Sequence, residues 1–182
     1  MFGEDEPKPK HQEPEKNQEP STTILDSAFY LLSTRFDPNT EILKLETFQS
    51  TAGILAIVMP VFNEQRWLDA VFKRVLARSE VGQLVAVDDG STDRSWEVLQ
   101  RLAETDPRVQ VVQHQNNQGK GAAIRTALKH VTSPLVLIQD ADLEYDPTDY
   151  AQMLKPILND EAEVVFGSRF SGDVPRIVKT EW

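Results

Sequence analysis

The sequence predicts an α/β fold in which a mainly parallel sheet is covered by helices on both faces. Between Ile54 and Phe166, apolar segments of strand length alternate with segments whose apolar residues recur at helical spacing. The strand segments are too uniformly apolar to have one face in water, which is typical of parallel strands buried between helices. With 182 residues, the chain has the length of one domain with a substantial core. These observations together indicate a Rossmann-like architecture.

The strands are expected where short apolar runs end at turn or polar residues, which places them at 54–61, 84–87, around 109–111, 135–139 and 164–166. The first helix is expected from Glu64 to Arg78, because its apolar residues share one face: Leu68, Val71, Phe72, Val75 and Leu76. Ser91 and Asp93 can cap a second helix, which runs to about Glu104. The same reasoning predicts helices at 121–130 and 147–158.

The N-terminal part of the chain gives a different signal. Residues 1–22 contain prolines among Glu, Lys and Gln with few apolar side chains, so we expect a disordered tail. Residues 23–53 contain short apolar runs that could pack on a domain or form a short helix, and the sequence leaves their structure open. The regular pattern, and therefore the predicted domain, begins at Ile54.

Composition excludes several classes of protein. The net charge of −10 argues against a nucleic-acid partner, which would require a basic face. The absence of cysteine excludes disulfides and thiolate metal sites. The longest apolar run, 54–62, is too short to span a bilayer, and the acidic start does not resemble a signal peptide. We therefore expect a cytoplasmic protein.

The most informative segment runs from Asp140 to Glu144, directly after the predicted strand 135–139. If the chain stays extended here, Asp140, Asp142 and Glu144 lie on one side and offer three oxygen ligands to a divalent cation. Ligands of open α/β sheets commonly bind at the carboxyl ends of strands, so such a cation would hold the phosphates of a nucleotide. The alternative is a solvated acidic turn.

Other strand ends add candidate residues. Asp89 could accept hydrogen bonds from a base or a ribose, Phe62 could stack on a base, and Glu64 could reach a polar edge. Arg169 could bind a phosphate through two parallel hydrogen bonds, although it could equally be a surface arginine. Gly119-Lys120-Gly121 lacks the spacing of a phosphate-binding loop, so we expect Lys120 to add only positive charge. The three histidines show no ligand spacing and are assigned no chemistry.

Several of these segments together resemble the family 2 glycosyltransferases of GT-A fold, and most of all the dolichol- and polyprenyl-phosphate mannose synthase group. The resemblance rests on segments 57–64, 85–93, 119–125, 140–144 and 167–170, in this order. It identifies 54–172 as a nucleotide-sugar-binding domain. It also implies that 173–182 is a shortened C-terminal tail, because relatives continue beyond this point into an acceptor-binding region.

The resemblance also implies roles for individual residues. The nucleoside of a GDP- or UDP-sugar would be surrounded by Pro60, Phe62, Glu64, Val87 and Asp89. Mg²⁺ or Mn²⁺ would bind Asp140 and Asp142, with Glu144 where many relatives have glutamine, and Ala141 would line the site. Asp142 and Arg169 would be catalytic.

The implied reaction is transfer of a sugar from GDP-mannose or a UDP-hexose to a polyprenyl or dolichyl phosphate. Such an acceptor would place the reaction at the cytoplasmic face of a membrane, and we expect no transmembrane segment in this chain. Two alternatives remain open: nucleotide-sugar binding without turnover, and transfer to a saccharide.

Overall fold

The computed structural model describes residues 28–33 and 51–168. Their centre is a six-stranded sheet with the order β4-β3-β2-β5-β1-β6. The strands are β1 (Ala28–Ser33), β2 (Leu55–Val61), β3 (Val81–Asp88), β4 (Val109–Gln113), β5 (Leu135–Ile138) and β6 (Val164–Ser168). Strands β4, β3, β2 and β5 are parallel to one another, so their carboxyl ends reach the same edge of the sheet.

In the described part of the chain, four α-helices lie between these strands. They are α1 (Leu68–Leu76), α2 (Ser95–Thr105), α3 (Lys120–Leu128) and α4 (Tyr150–Leu158), the last preceded by a 3-10 turn at Pro147–Asp149. The predicted alternation of strands and helices is confirmed. Helix α1 begins at Leu68 rather than at Glu64, because the residues before it form a turn that is hydrogen-bonded to another part of the chain.

Apolar side chains pack on both faces of the sheet, as predicted. Alternate residues of β2 point to opposite faces: Ile57 belongs to one cluster, which includes α1, α2 and α4, and Val58 belongs to the other. The second cluster is formed under α3, whose inward residues Ala123 and Ala127 are fully buried. These small side chains allow α3 to lie close to the sheet.

Strand β1 comes from the segment whose structure the sequence left open. It pairs antiparallel with β5, where Leu31 is opposite Leu137, and with β6, where Tyr30 is opposite Phe166. The segment is therefore part of the sheet, and the strands predicted from 54 onward do not form the sheet alone. The predicted tail 1–22 lies outside the described residues.

No helix in the described part of the chain combines the length and the apolar character that crossing a bilayer requires.

Candidate functional site

A cavity of about 310 Å³ opens at the edge of the sheet where the parallel strands end. Its walls come from the turns that follow β2, β3 and β5 and from the start of α3. The lining residues are Pro60, Val61, Phe62, Glu64, Asp89, Asn117, Lys120, Asp140, Ala141 and Asp142. Seven of the predicted nucleotide-sugar contacts are therefore brought to one place by the topology of the sheet.

The acidic segment contributes Asp140, Ala141 and Asp142 to this cavity but not Glu144. The prediction for Glu144 assumed an extended chain, whereas β5 ends at Ile138 and the chain then bends. The Glu144 amide donates to Asp142 Oδ1 at 3.1 Å, which folds the segment into a turn. Alternation along a strand is lost in such a turn, so the three acids do not line the cavity together.

Lys120 is the lysine on the cavity wall and the first residue of α3. Its Nζ lies 2.9 Å from Oδ1 and 3.0 Å from Oδ2 of Asp140. The ammonium therefore lies against both oxygens of a predicted metal ligand. Sequence reasoning gave Lys120 only a minor role, although its place on the loop after β4, at the same edge as the other strand ends, is a signal that could have identified it.

Glu64 is held at the cavity by two turns that bind each other. Its amide donates to Ser95 Oγ at 2.8 Å, the Asn63 amide donates to Ser91 Oγ at 2.9 Å, and the Thr92 amide donates to Asn63 Oδ1 at 2.8 Å. Asn63 adopts a φ of 58°, which asparagine tolerates better than most residues. These bonds fix the backbone from which the Glu64 side chain reaches the cavity.

The electrostatic environment of Glu64 is negative. Partial burial raises the pKa of its carboxyl, and the nearby charges of Asp142, Asp93 and Asp140 raise this pKa further. The carboxylates around the cavity therefore repel one another. A cation or a hydrogen-bond donor placed among them would lower the free energy of the ionised site.

Asp89 is almost completely buried and accepts three hydrogen bonds from within the protein. The donors are His114 Nδ1 at 2.7 Å and the backbone amides of Gln118 and Gly119 at 3.0 and 2.7 Å. Burial acts to raise the pKa of Asp89, but these three hydrogen bonds outweigh burial, and the pKa lies below its ordinary value. His114 had been assigned no chemistry, and its spacing in the sequence gives no signal of this contact.

The remaining predicted residues are placed differently. Phe62 lines the cavity and is 44% exposed, so part of its side chain is accessible there. Val87 does not line the cavity, because its side chain points into the buried cluster beneath α3. Arg169 lies outside the described residues, so its predicted role stays a prediction.

The donor set at the cavity fits a divalent cation that shares its ligands with a phosphate. Asp140 and Asp142 supply carboxylate oxygens, and Mg²⁺ in proteins is commonly bound by one or two carboxylates together with substrate phosphates and water. Among residues 28–33 and 51–168, no three His, Cys, Asp or Glu side chains are grouped to hold a metal by themselves. The site therefore favours a cation that binds together with an anionic ligand.

Comparison with known proteins gives matches to a family model, to curated proteins and to solved structures. The model of the family described as "Glycosyl transferase family 2" matches residues 56–179. Among curated proteins, the chain is 36% identical over 110 residues to the undecaprenyl-phosphate 4-deoxy-4-formamido-L-arabinose transferase of Edwardsiella ictaluri, covering 58% of this chain and 34% of the relative. It is 28% identical to the dolichol-phosphate mannosyltransferase of Pyrococcus furiosus, covering 64% of this chain and 33% of the relative.

Among solved structures, the glucosyl-3-phosphoglycerate synthase of Mycobacterium tuberculosis, in complex with Mn²⁺, UDP-glucose and phosphoglyceric acid, matches with a TM-score of 0.50 and 23% identity. The match covers 72% of this chain and 48% of the synthase. The fold is thus that of the GT-A glycosyltransferases, as predicted. The chain spans about a third of the length of the two curated relatives named above.

Proposed function

This chain belongs to glycosyl transferase family 2, and we propose that it binds a nucleotide-sugar together with Mg²⁺ or Mn²⁺ and transfers the sugar to a polyprenyl or dolichyl phosphate. The observation that supports this proposal most directly is the cavity at the strand ends, where Asp140, Asp142 and Lys120 meet. The names of the relatives in Edwardsiella ictaluri and Pyrococcus furiosus support a lipid-phosphate acceptor.

We propose that the two sides of the cavity bind different parts of the donor. Phe62 presents an accessible ring on which a base can stack, and Glu64 offers a carboxylate oxygen to polar groups of the nucleoside. On the other side, Asp140 and Asp142 would hold the cation, and Lys120 adds a positive charge near the diphosphate. When bound, the cation supplies positive charge beside the leaving diphosphate.

The residues of this chain then contribute mainly charge and orientation. Negative charge develops on the leaving diphosphate as the bond to the sugar breaks, and the ammonium of Lys120 at the cavity would stabilise this charge. A lipid phosphate acceptor is largely ionised near neutral pH, because its second pKa is about 6. Such an acceptor does not need a protein base. A saccharide acceptor would need a carboxylate to take the proton of its hydroxyl.

Calorimetric titration with GDP and UDP, each with and without Mn²⁺, tests donor binding. We expect binding of one of the two nucleotides that requires Mn²⁺ and is weakened by about tenfold or more in Asp142→Ala, because a charged contact is lost. Asp149→Ala is the matched control, since Asp149 is an exposed acid in the 3-10 turn and does not line the cavity. Binding that is independent of Mn²⁺ and unchanged in Asp142→Ala would contradict the proposed site.

A transfer assay tests the second half of the proposal. Radiolabelled GDP-mannose, UDP-glucose and UDP-N-acetylglucosamine are each incubated with Mn²⁺ and a polyprenyl phosphate, and the organic phase is counted. Labelled lipid is the expected result. Nucleotide binding without any labelled lipid would favour a binding function without turnover, and labelling of a soluble saccharide instead would favour a saccharide acceptor.

A further inference from the structure

The strongest feature that the proposed function does not use is the contact between His114 and Asp89. Both side chains are buried, with 9% and 3% of their surface exposed. His114 Nδ1 lies 2.7 Å from Asp89 Oδ1, and Nε2 lies 2.9 Å from Thr126 Oγ1. Because an ionised carboxylate can only accept, Nδ1 must donate to Asp89. His114 therefore joins Asp89, the residue after β3, to the last turn of α3.

The same carboxylate also holds the loop that leads into α3. Besides His114, Asp89 accepts from the amides of Gln118 and Gly119. The His114 amide in turn donates to the Asp88 carbonyl at 2.8 Å. A carboxylate has about four acceptor positions, so Asp89 has little capacity left for a ligand. Its contacts favour a role in fixing the loop 114–119.

This loop determines where two cavity residues lie. Asn117 is part of the loop and lines the cavity, and Lys120 follows Gly119 directly. Gly119 has a φ of 89°, so the chain turns sharply just before Lys120 enters α3. A displacement of the Gly119 amide would therefore move the ammonium that meets Asp140.

We propose that His114 is a positioning residue for the ligand of the cavity: through Asp89 it fixes the loop 114–119, and so sets the positions of Asn117 and Lys120. This inference goes beyond the proposed function, because it assigns a role to a buried side chain that does not touch the cavity. It rests on the proposed function only where it concerns a nucleoside diphosphate as the ligand.

Two readouts separate positioning from a general contribution to stability. The first is hydrogen exchange of the Gln118 and Gly119 amides, followed by NMR in the full chain without nucleotide. The second is the affinity for GDP and UDP in the presence of Mn²⁺. The variants are His114→Ala, which removes the contact, and His114→Asn, whose amide nitrogen can replace Nδ1 as donor to Asp89. The matched control is His130→Ala, because His130 contacts Gln110 and does not line the cavity.

In His114→Ala we expect amide exchange at Gly119 to be about tenfold faster and nucleotide affinity about tenfold weaker, which corresponds to the loss of one charge-assisted hydrogen bond. His114→Asn should restore most of both values, and His130→Ala should change neither. Unchanged exchange at Gln118 and Gly119 in His114→Ala would overturn the inference. Faster exchange with unchanged nucleotide affinity would also overturn it, because the loop would then not set the ligand site.

The two proposals fail in different ways. If the wild-type chain binds neither nucleotide, the proposed function fails, while the exchange measurement still decides whether His114 fixes the loop. If His114→Ala does not fold, Thr126→Val provides the second test, because it removes the partner of Nε2 with little change in shape. We expect faster exchange at Gly119 in this variant as well, and no change would overturn the inference.

Discussion

At the scale of single residues, the contact between Lys120 and Asp140 affects how tightly the cavity can bind a divalent cation. Partial burial raises the pKa of Glu64 and the nearby carboxylates of Asp142, Asp93 and Asp140 raise it further, so the site has unfavourable negative charge. Lys120 offsets part of this charge by its contact with both oxygens of Asp140. A divalent cation that binds Asp140 must compete with this ammonium.

This competition predicts the effect of Lys120→Met on metal affinity. Without nucleotide, the variant should bind Mn²⁺ a few-fold more tightly, since an ion pair of this exposure is worth roughly 0.2–1 kcal/mol. Free Mn²⁺ can be measured by electron paramagnetic resonance during titration. Lys129→Met, in the same region of the chain but away from the cavity, gives the same change of net charge. Equal Mn²⁺ affinities in the two variants would show that only net charge matters.

A second prediction concerns Asp106 and Arg108, between α2 and β4. Arg108 donates to Asp106 and also to the carbonyls of Val81 and Leu76. The hydrogen bond from Arg108 is the main reason that the pKa of Asp106 lies below its ordinary value of 3.8. A lowered native pKa stabilises the fold above the unfolded value, and this stabilisation disappears as the pH falls through the native pKa.

We therefore expect Asp106→Asn to lower the free energy of unfolding by about 1 kcal/mol at pH 7, the value of a charged hydrogen bond reduced by partial exposure. The difference from wild type should shrink as the pH falls below the ordinary carboxyl pKa of 3.8 and should vanish once Asp106 is protonated in the native state. Urea unfolding over this pH range measures it. Asp69→Asn is the control, because its contact with Arg101 is exposed. If the difference in unfolding free energy between Asp106→Asn and wild type stays constant with pH, the ionised Asp106 does not stabilise the fold through Arg108.

At the scale of elements, the loop 114–119 is also held by close packing against the turn after β3. Gly90 has a φ of 74°, and a Cβ at this position would lie 2.6 Å from the carbonyl carbon of Asn116 and 2.6 Å from the amide of Asn117. Backbone atoms cannot move away as easily as a flexible side chain. Gly90 therefore allows the loop to approach the end of β3.

Gly90→Ala should thus destabilise the chain by about 1–3 kcal/mol, through strain at positive φ and displacement of the loop. Gly121→Ala should be neutral or stabilise by up to about 1 kcal/mol, because Gly121 lies inside α3 and an added Cβ meets only Arg125 Nη1, at 3.5 Å. Thermal unfolding compares the two variants. Equal effects of the two substitutions would show that the contact with Asn116 and Asn117 is not important.

The pattern of apolar residues predicted the strands and helices whose buried residues can be recognised within the element itself. The apolar run of β2 indicates a strand that is buried on both faces, and the helical spacing of the apolar residues in α1 indicates which face of that helix is buried. Strand β1 could not be predicted, because its short apolar run is compatible with a helix and its pairing with β5 and β6 depends on distant segments.

The site was predictable to the extent that strand ends define it. Asp140, Asp142 and Phe62 follow apolar strands directly, so their placement at one edge follows from the parallel sheet. Glu144 was misplaced because the turn that moves it depends on a local hydrogen bond to Asp142. The partners of Asp89 are on another loop, which no periodicity reveals.

At the scale of the whole molecule, the sheet joins two apolar clusters into one unit. Successive residues of β2 alternate between them, and β3 and β5 do the same with Leu84 and Val85 and with Val136 and Leu137. Because the same strands carry both clusters, loss of packing on one face weakens the strands that support the other. The described strands and helices should therefore unfold in one cooperative transition.

Val58→Ala tests this cooperativity, because it shortens a fully buried side chain in the cluster beneath α3. The expected loss is about 2 kcal/mol. Trp67 and Trp96 pack against the opposite cluster and report on it by fluorescence. Urea unfolding in a Trp182→Phe background, so that only these two tryptophans report, should show the same lowered midpoint by fluorescence and by circular dichroism.

The matched substitution is Val164→Ala in β6, where the side chain is 39% exposed and the change should stay within about 0.5 kcal/mol. If Val58→Ala lowers the midpoint by circular dichroism but leaves the tryptophan transition unchanged, the two faces unfold separately. The wall of the cavity that α3 and Lys120 form would then belong to the less stable face. A coincident shift would instead mean that the cavity walls keep their relative positions until the whole sheet unfolds.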